Sequence, residues 1–137
     1  MNKFFLVFLF TVSFTLLITG CASAPAKIQG TGALTVSPGQ NESVVVVQRV
    51  SSFTGSAIPM RVWINNEEVV SGIRNGGEFQ LIIPNGQHTI QAGSSGVDKG
   101  NNVVFVANGE AIYFNAVPRM GVIASRFNLT EISRMEL

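Results

Sequence analysis

Few residues in this chain are able to do chemistry. There is one cysteine, Cys21, one histidine, His88, one aspartate, Asp98, one tryptophan, Trp63, and one tyrosine, Tyr113. A single thiol excludes an intrachain disulfide and a cysteine-rich zinc site. A single imidazole excludes a multi-histidine metal centre. A serine triad would need His88 beside a nucleophile elbow, and no G-x-S-x-G is present. In Gln87 to Ala92, alternation puts His88 on one face with Ile90 and Ala92. That predicts a hydrogen-bonded structural histidine rather than a general base. Asp98 sits in GSSGVDKGN (93–101), which has glycines but no following helix to complete a phosphate site. Paired carboxylates for glycoside hydrolysis could only come from scattered glutamates, such as Glu67, Glu68 and Glu78. Glu67-Glu68 follows a turn and reads better as a solvated strand start. No P-loop or dinucleotide fingerprint occurs. The expectation is a protein that is not an enzyme, with no cofactor and no metal.

The thiol stands apart because of what precedes it. Lys3 gives a positive start, and Phe4 to Ile18 is an almost continuous apolar run closed by Thr19-Gly20-Cys21. This is the order of a secretory signal. A transmembrane helix needs roughly 20 apolar residues, and this run is shorter and lacks stop-transfer charges. The four residues Ile18-Thr19-Gly20-Cys21 resemble the lipobox of bacterial lipoproteins. The resemblance implies cleavage before Cys21, a diacylglycerol thioether on its sulfur and an acylated amino group. Thiolate nucleophilicity suits that alkylation, and several acyl chains anchor stably where one does not. Ala22, in place of the Asp associated with inner-membrane retention, favours the outer membrane, facing the periplasm. The implied partner is therefore a membrane, reached through lipid on Cys21.

Composition narrows the rest. The chain is 46% hydrophobic and 12% charged, with net charge +1. Such a balance gives no basic excess for nucleic acid and argues against disorder. Five of the ten phenylalanines fall in residues 1–20, so the chain beyond residue 20 has an ordinary domain composition. Residues 21–42, rich in Ala, Ser, Gly and Pro, read as a lipidated tether, with an extended arm around Ala33-Leu34-Thr35-Val36. Residues 43–137 are enough for one domain with one core.

That domain must position its side chains on strands. Ser43 to Val50 carries four consecutive valines, as a strand buried on both faces does. Further strands are predicted over 58–65, 67–73, 78–83, 87–92, 102–107, 110–117 and 122–132. The end of the last could instead begin a short helix capped at Asn128. Asn75-Gly76, Asn85-Gly86 and Asn108-Gly109 sit between apolar runs, where Asn-Gly signals tight hairpins. Asn65-Asn66 carries the same signal more weakly. The pattern predicts an all-β domain, a small antiparallel β-sandwich of about seven or eight strands.

Alternation places Trp63 beside Arg61 on the face opposite Met60, Val62 and Ile64, and sets Tyr113 against Ile112 and Phe114. Exposed, Arg61, Trp63 and Tyr113 would form a binding patch. Covered, the two aromatics become a second core. The polar stretches 51–57 and 93–101 are the loops best placed to carry function.

Val44 to Ala92 resembles, over most of the domain, uncharacterised bacterial lipoproteins allied to PEGA-type domains. The likeness rests on Arg49 closing the first strand, the Asn75-Gly76 turn, Phe79, Pro84-Asn85-Gly86-Gln87-His88 and the Gly109-Glu110 turn before Tyr113. Asn65-Asn66 departs from that family's usual Asp-Gly. The resemblance implies a small β-sandwich and a role in envelope binding. The expected function is thus a membrane-anchored envelope lipoprotein acting as a non-catalytic binding or structural module, with an envelope protein or cell-wall partner. The alternative is a small-ligand or carbohydrate sensor using the 51–57 and 93–101 loops.

Overall fold

The structure is a computed structural model that describes residues 34–120 and 125–137. The leader, Cys21 and the tether to residue 33 lie outside the described residues, and so do the expectations placed on them.

Eight strands and no helix make up the described residues. They are β1 (Glu42–Arg49), β2 (Met60–Ile64), β3 (Glu67–Ile73), β4 (Glu78–Pro84), β5 (Gly86–Gly93), β6 (Val103–Ala107), β7 (Glu110–Met120) and β8 (Ser125–Glu136). The fold is all-β, as the alternation predicts. The C-terminal segment, open between strand and helix in the sequence, is the strand β8.

The layout is one continuous sheet rather than two stacked ones. Its order is β3-β2-β5-β8-β7-β1-β4, with β6 also paired to β5. Its ends, β3 and β4, come close to each other, so the sheet nearly closes into a barrel. Every pairing is antiparallel except β1 with β7, which is parallel from Val44↔Ala111 to Arg49↔Ala116. The physical signature of that exception is the valine run. Val44 to Val47 are all buried, as expected of parallel strands covered on both faces. Val45 and Val47 face the barrel interior with Ile112, Phe114 and Phe127. Val44 and Val46 face outward onto a second cluster with Ala111 and Tyr113, against which Leu34 and Val36 of the arm pack. The tether is therefore packed on the sheet from Leu34 onward.

The turns fall where the asparagines predict, but they do not join paired strands. β3 and β4, β4 and β5, and β6 and β7 are linked by the Asn75-Gly76, Asn85-Gly86 and Asn108-Gly109 turns, and none of these pairs is hydrogen-bonded as a ladder. The expected hairpin of 102–107 with 110–117 does not form. β6 pairs β5, and β7 lies between β8 and β1. The glycines supply positive φ at corners where the chain leaves one part of the sheet for another, at Gly76 (73°), Gly86 (136°) and Gly109 (75°). The weaker signal makes the tight hairpin. Asn65 and Asn66 have φ of 51° and 68°, the two positive values that a type I′ turn needs, and they join the paired β2 and β3.

Strand direction alternates along the chain. β1, β3, β5 and β7 finish at one end of the barrel, and β2, β4, β6 and β8 start there. This loop end gathers the longer connections, including 51–57 and 93–101. The opposite turn end holds the three short turns at Asn65, Asn85 and Asn108.

Candidate functional site

The three residues of the expected patch are not brought together. Arg61 and Trp63 do share the outer face of β2. Arg61 Nη1 lies 3.3 Å from Glu68 Oε2 across the hairpin, an exposed pair of small energetic weight. Trp63 is only 5% exposed, with the Lys99 ammonium 4.8 Å above its ring. Tyr113, also 5% exposed, belongs to the outer cluster beneath the arm. In the sheet, β5 and β8 intervene between β2 and β7, about 14 Å at normal strand spacing.

His88 points inward as its alternation predicts and stacks at 5.7 Å on Phe105. Its Nε2 lies 2.8 Å from the Pro84 carbonyl and its Nδ1 lies 2.9 Å from Asn65 Nδ2. A carbonyl can only accept, so Nε2 carries the proton and Nδ1 accepts from the Asn65 amide. Asn65 Oδ1 in turn accepts from the Thr89 N–H at 3.0 Å. Both ring nitrogens are thus used in tying the β2–β3 hairpin to β5. Among the described residues no group of three or more His, Cys, Asp or Glu could hold a metal ion.

At the turn end, Ser43 stitches the corners together. Its hydroxyl donates to Asn85 Oδ1 at 2.6 Å and accepts from the Gly109 N–H at 2.8 Å. Ser43 has no exposed surface.

The loop end is organised by Arg49, which in the sequence is no more than a strand terminus. It closes β1 facing inward and has no exposed surface. Its guanidinium donates to three backbone carbonyls, those of Ile58 (2.5 Å), Ile73 (2.9 Å) and Gly55 (2.7 Å). It also lies 4.9 Å from the centre of the Phe127 ring. No carboxylate pairs with it among the described residues, and its Nε has no hydrogen-bond partner. Burial pushes its pKa below the ordinary arginine value. Arg49 therefore serves as a fork that fixes the β1–β2 connection and the end of β3 over the barrel mouth. The only sequence signal was a charged residue in register with inward-facing valines.

So fixed, the β1–β2 connection carries Phe53 outward, 99% exposed. Gly55 lies against Pro118 and Ser125, where a Cβ would come 3.1 Å from Ser125 Oγ. The connection therefore rests on the ends of β7 and β8. Met120, 78% exposed, stands at that end of β7, and Val97, 91% exposed, projects from the β5–β6 connection. Directly below Met120, Arg119 of β7 faces Arg126 of β8 in the antiparallel register. Arg74, on the β3–β4 turn, lines an open depression of about 540 Å³ with Ala57, Ile58 and Pro59. The loop end is thus a rim of exposed apolar tips and of arginines that make no ion pair among the described residues.

Compared with known protein families and with curated proteins, the chain matches none.

Proposed function

We propose that this protein is a membrane-anchored envelope lipoprotein whose barrel acts as a non-catalytic binding or structural module. The observation that carries the reading is the sole cysteine of the chain, placed directly after an apolar leader in Ile18-Thr19-Gly20-Cys21. The use made of reactive side chains in the barrel supports it. His88 is committed through both nitrogens to Asn65 and Pro84, and Asp98 is bonded to Ser95 within its own loop. Ala22 favours sorting to the outer membrane, with the domain facing the periplasm. Its partner there would be an envelope protein or the cell wall.

The test is fatty-acid labelling of the full chain in bacterial cells. Labelled protein is expected from the wild type, and none from Cys21→Ser. Labelling that survives the substitution overturns the reading.

A ligand-sensing role has one observation in its favour. The 51–57 and 93–101 connections emerge at the same end, and Lys99 of the second covers Trp63. Trp63 emission would then respond to cell-wall fragments or sugars. A flat titration with all of them counts against sensing.

A further inference from the structure

We propose that the loop end of the barrel lies flat against an anionic lipid surface, with Phe53 and Met120 inserted and Arg119 and Arg126 on the phosphates. This rests on the membrane-anchor reading and names the face of the domain that meets the bilayer.

The first observation is where the apolar tips are. Phe53, Val97 and Met120 are the three most exposed large hydrophobic residues of the described chain. Phe53 comes from the β1–β2 connection, Val97 from the β5–β6 connection and Met120 from the last residue of β7, all at the loop end. A buried arginine holds the one that bears Phe53. Side chains of this kind, fixed on a rim and fully in water, gain free energy by entering the headgroup boundary.

The second is charge. Arg119 and Arg126 are both exposed and directly opposite each other. Like charges in that register repel, and neither makes an ion pair among the described residues. An anion shared between them removes the penalty, and bidentate guanidinium–phosphate contact suits the geometry. Arg74 and Lys99 add to the same end, against Glu78 and Asp98. The turn end has the opposite sign. Glu42, Glu110 and Glu136 lie there, and the cation Arg134 is held by Glu110 and Glu131. A barrel polarised in this way orients its basic end toward anionic lipid.

The third is the path of the arm. From Glu42 the chain runs back along the outer face, and the Thr35 N–H reaches Gln80 Oε1 at 2.8 Å. Gln80 is two residues from the loop-end start of β4. The arm thus leads from the turn end toward the loop end. Thirteen positions separate Leu34 from Cys21, a reach of at most about 45 Å. That is ample for the loop end to touch a bilayer holding Cys21.

The test uses the full chain in vesicles with brominated acyl chains, which quench only tryptophans near the lipid. Phe53→Trp reports the loop end and Met135→Trp the turn end. Both positions are exposed, and wild-type emission from Trp63 is subtracted. In phosphatidylglycerol vesicles the tryptophan at 53 is expected to be quenched and that at 135 to stay bright. Arg119→Gln and Arg126→Gln are each expected to lower the docked-to-free ratio about fivefold. High salt is expected to do the same. Equal quenching at both positions, or none at 53 in vesicles that carry the chain, overturns the inference and leaves the anchor reading standing. Quenching at 53 in a chain that takes no fatty acid on Cys21 supports docking and overturns the anchor instead. Quenching as strong in phosphatidylcholine as in phosphatidylglycerol overturns the role of the arginine pair. Protection of the tryptophan at 53 by an envelope protein, with no bromolipid effect, assigns the face to a protein and overturns the inference.

Discussion

The Arg49 guanidinium donates to the Gly55 carbonyl at 2.7 Å, and so fastens the connection that bears Phe53 from inside the barrel. A charged hydrogen bond of this kind is worth about 1.5–3 kcal/mol, and a buried carbonyl left alone costs about 1–3 kcal/mol. Arg49→Ala removes donors from three carbonyls and opens a void above Phe127. We expect a loss of about 3–5 kcal/mol, read as a lower urea midpoint. Arg49→Lys should recover only part of it, because an ammonium lacks the planar fork. The pH profile is a further check. Burial lowers the folded-state pKa of Arg49 relative to the unfolded chain. For a cation such a shift is a cost to folding wherever the group is charged in both states, relieved only as pH rises above the folded value, in the alkaline range. Between about pH 5 and 9 the arginine stays charged in both states, so the difference between wild type and Arg49→Ala should be flat there. A sloped difference would locate the effect on another group.

Ser43 predicts a second, independent loss at the opposite end. Its hydroxyl is buried and links Asn85 to the Gly109 N–H. Ser43→Ala fits the space but removes these two bonds and a longer one from the Glu110 N–H at 3.3 Å, while the Gly109 N–H keeps its direct bond to Asn85 Oδ1 at 2.9 Å. The expected destabilisation is about 1–3 kcal/mol, additive with Arg49→Ala because the two sites share no partner. A thermal shift within error of zero would mean that the corners hold without the stitch.

The β2–β3 hairpin gives a pair of substitutions with opposite signs. Asn66 has φ of 68°, and its side chain makes no hydrogen bond among the described residues. Asn66→Gly creates the preferred Asn-Gly type I′ turn and should stabilise by a few tenths to about 1 kcal/mol. Asn65 also has positive φ, but its amide bridges the Thr89 N–H and His88 Nδ1. Asn65→Gly should therefore destabilise by about 1–3 kcal/mol despite its freer backbone. If both changes act alike in unfolding experiments, turn geometry alone governs this hairpin.

These residues show how far pattern reading carries. Strand positions were legible because inward and outward residues alternate, and the valine run announced a strand covered on both sides. The face that His88 shares with Ile90 and Ala92 makes its inward, hydrogen-bonded placement legible, and the structure has it buried with both ring nitrogens bonded. Pairing was not legible. Asn75, Asn85 and Asn108 sit in turns, yet a positive-φ turn serves a corner between unpaired strands as well as a hairpin. Nothing local separates the two cases, because the partner strand is distant in sequence. The same limit hid the parallel β1–β7 pair, whose members lie more than sixty residues apart. Arg49 was missed for a related reason. Its role depends on carbonyls supplied by Gly55, Ile58 and Ile73, which only the closed sheet assembles. Trp63 and Tyr113 were placed correctly on outward faces, but what covers each comes from elsewhere in the chain, Lys99 for one and the arm for the other.

The cover over Trp63 can be tested within a single loop. Gly100 lies so close to β8 that a Cβ there would collide with the Phe127 carbonyl, and its N–H bonds the Ala92 carbonyl at 2.7 Å. Gly96, in the same connection, has nothing within 4 Å of its would-be Cβ. Gly100→Ala must push the connection off the sheet, since neither backbone segment can yield cheaply. Lys99 then leaves the Trp63 ring. We expect a red-shifted emission, easier acrylamide quenching and a stability loss of about 1–3 kcal/mol. Gly96→Ala should stay within about 0.5 kcal/mol of wild type with unchanged emission. If the two variants behave alike, Lys99 is not held over Trp63 by the approach of Gly100 to Phe127.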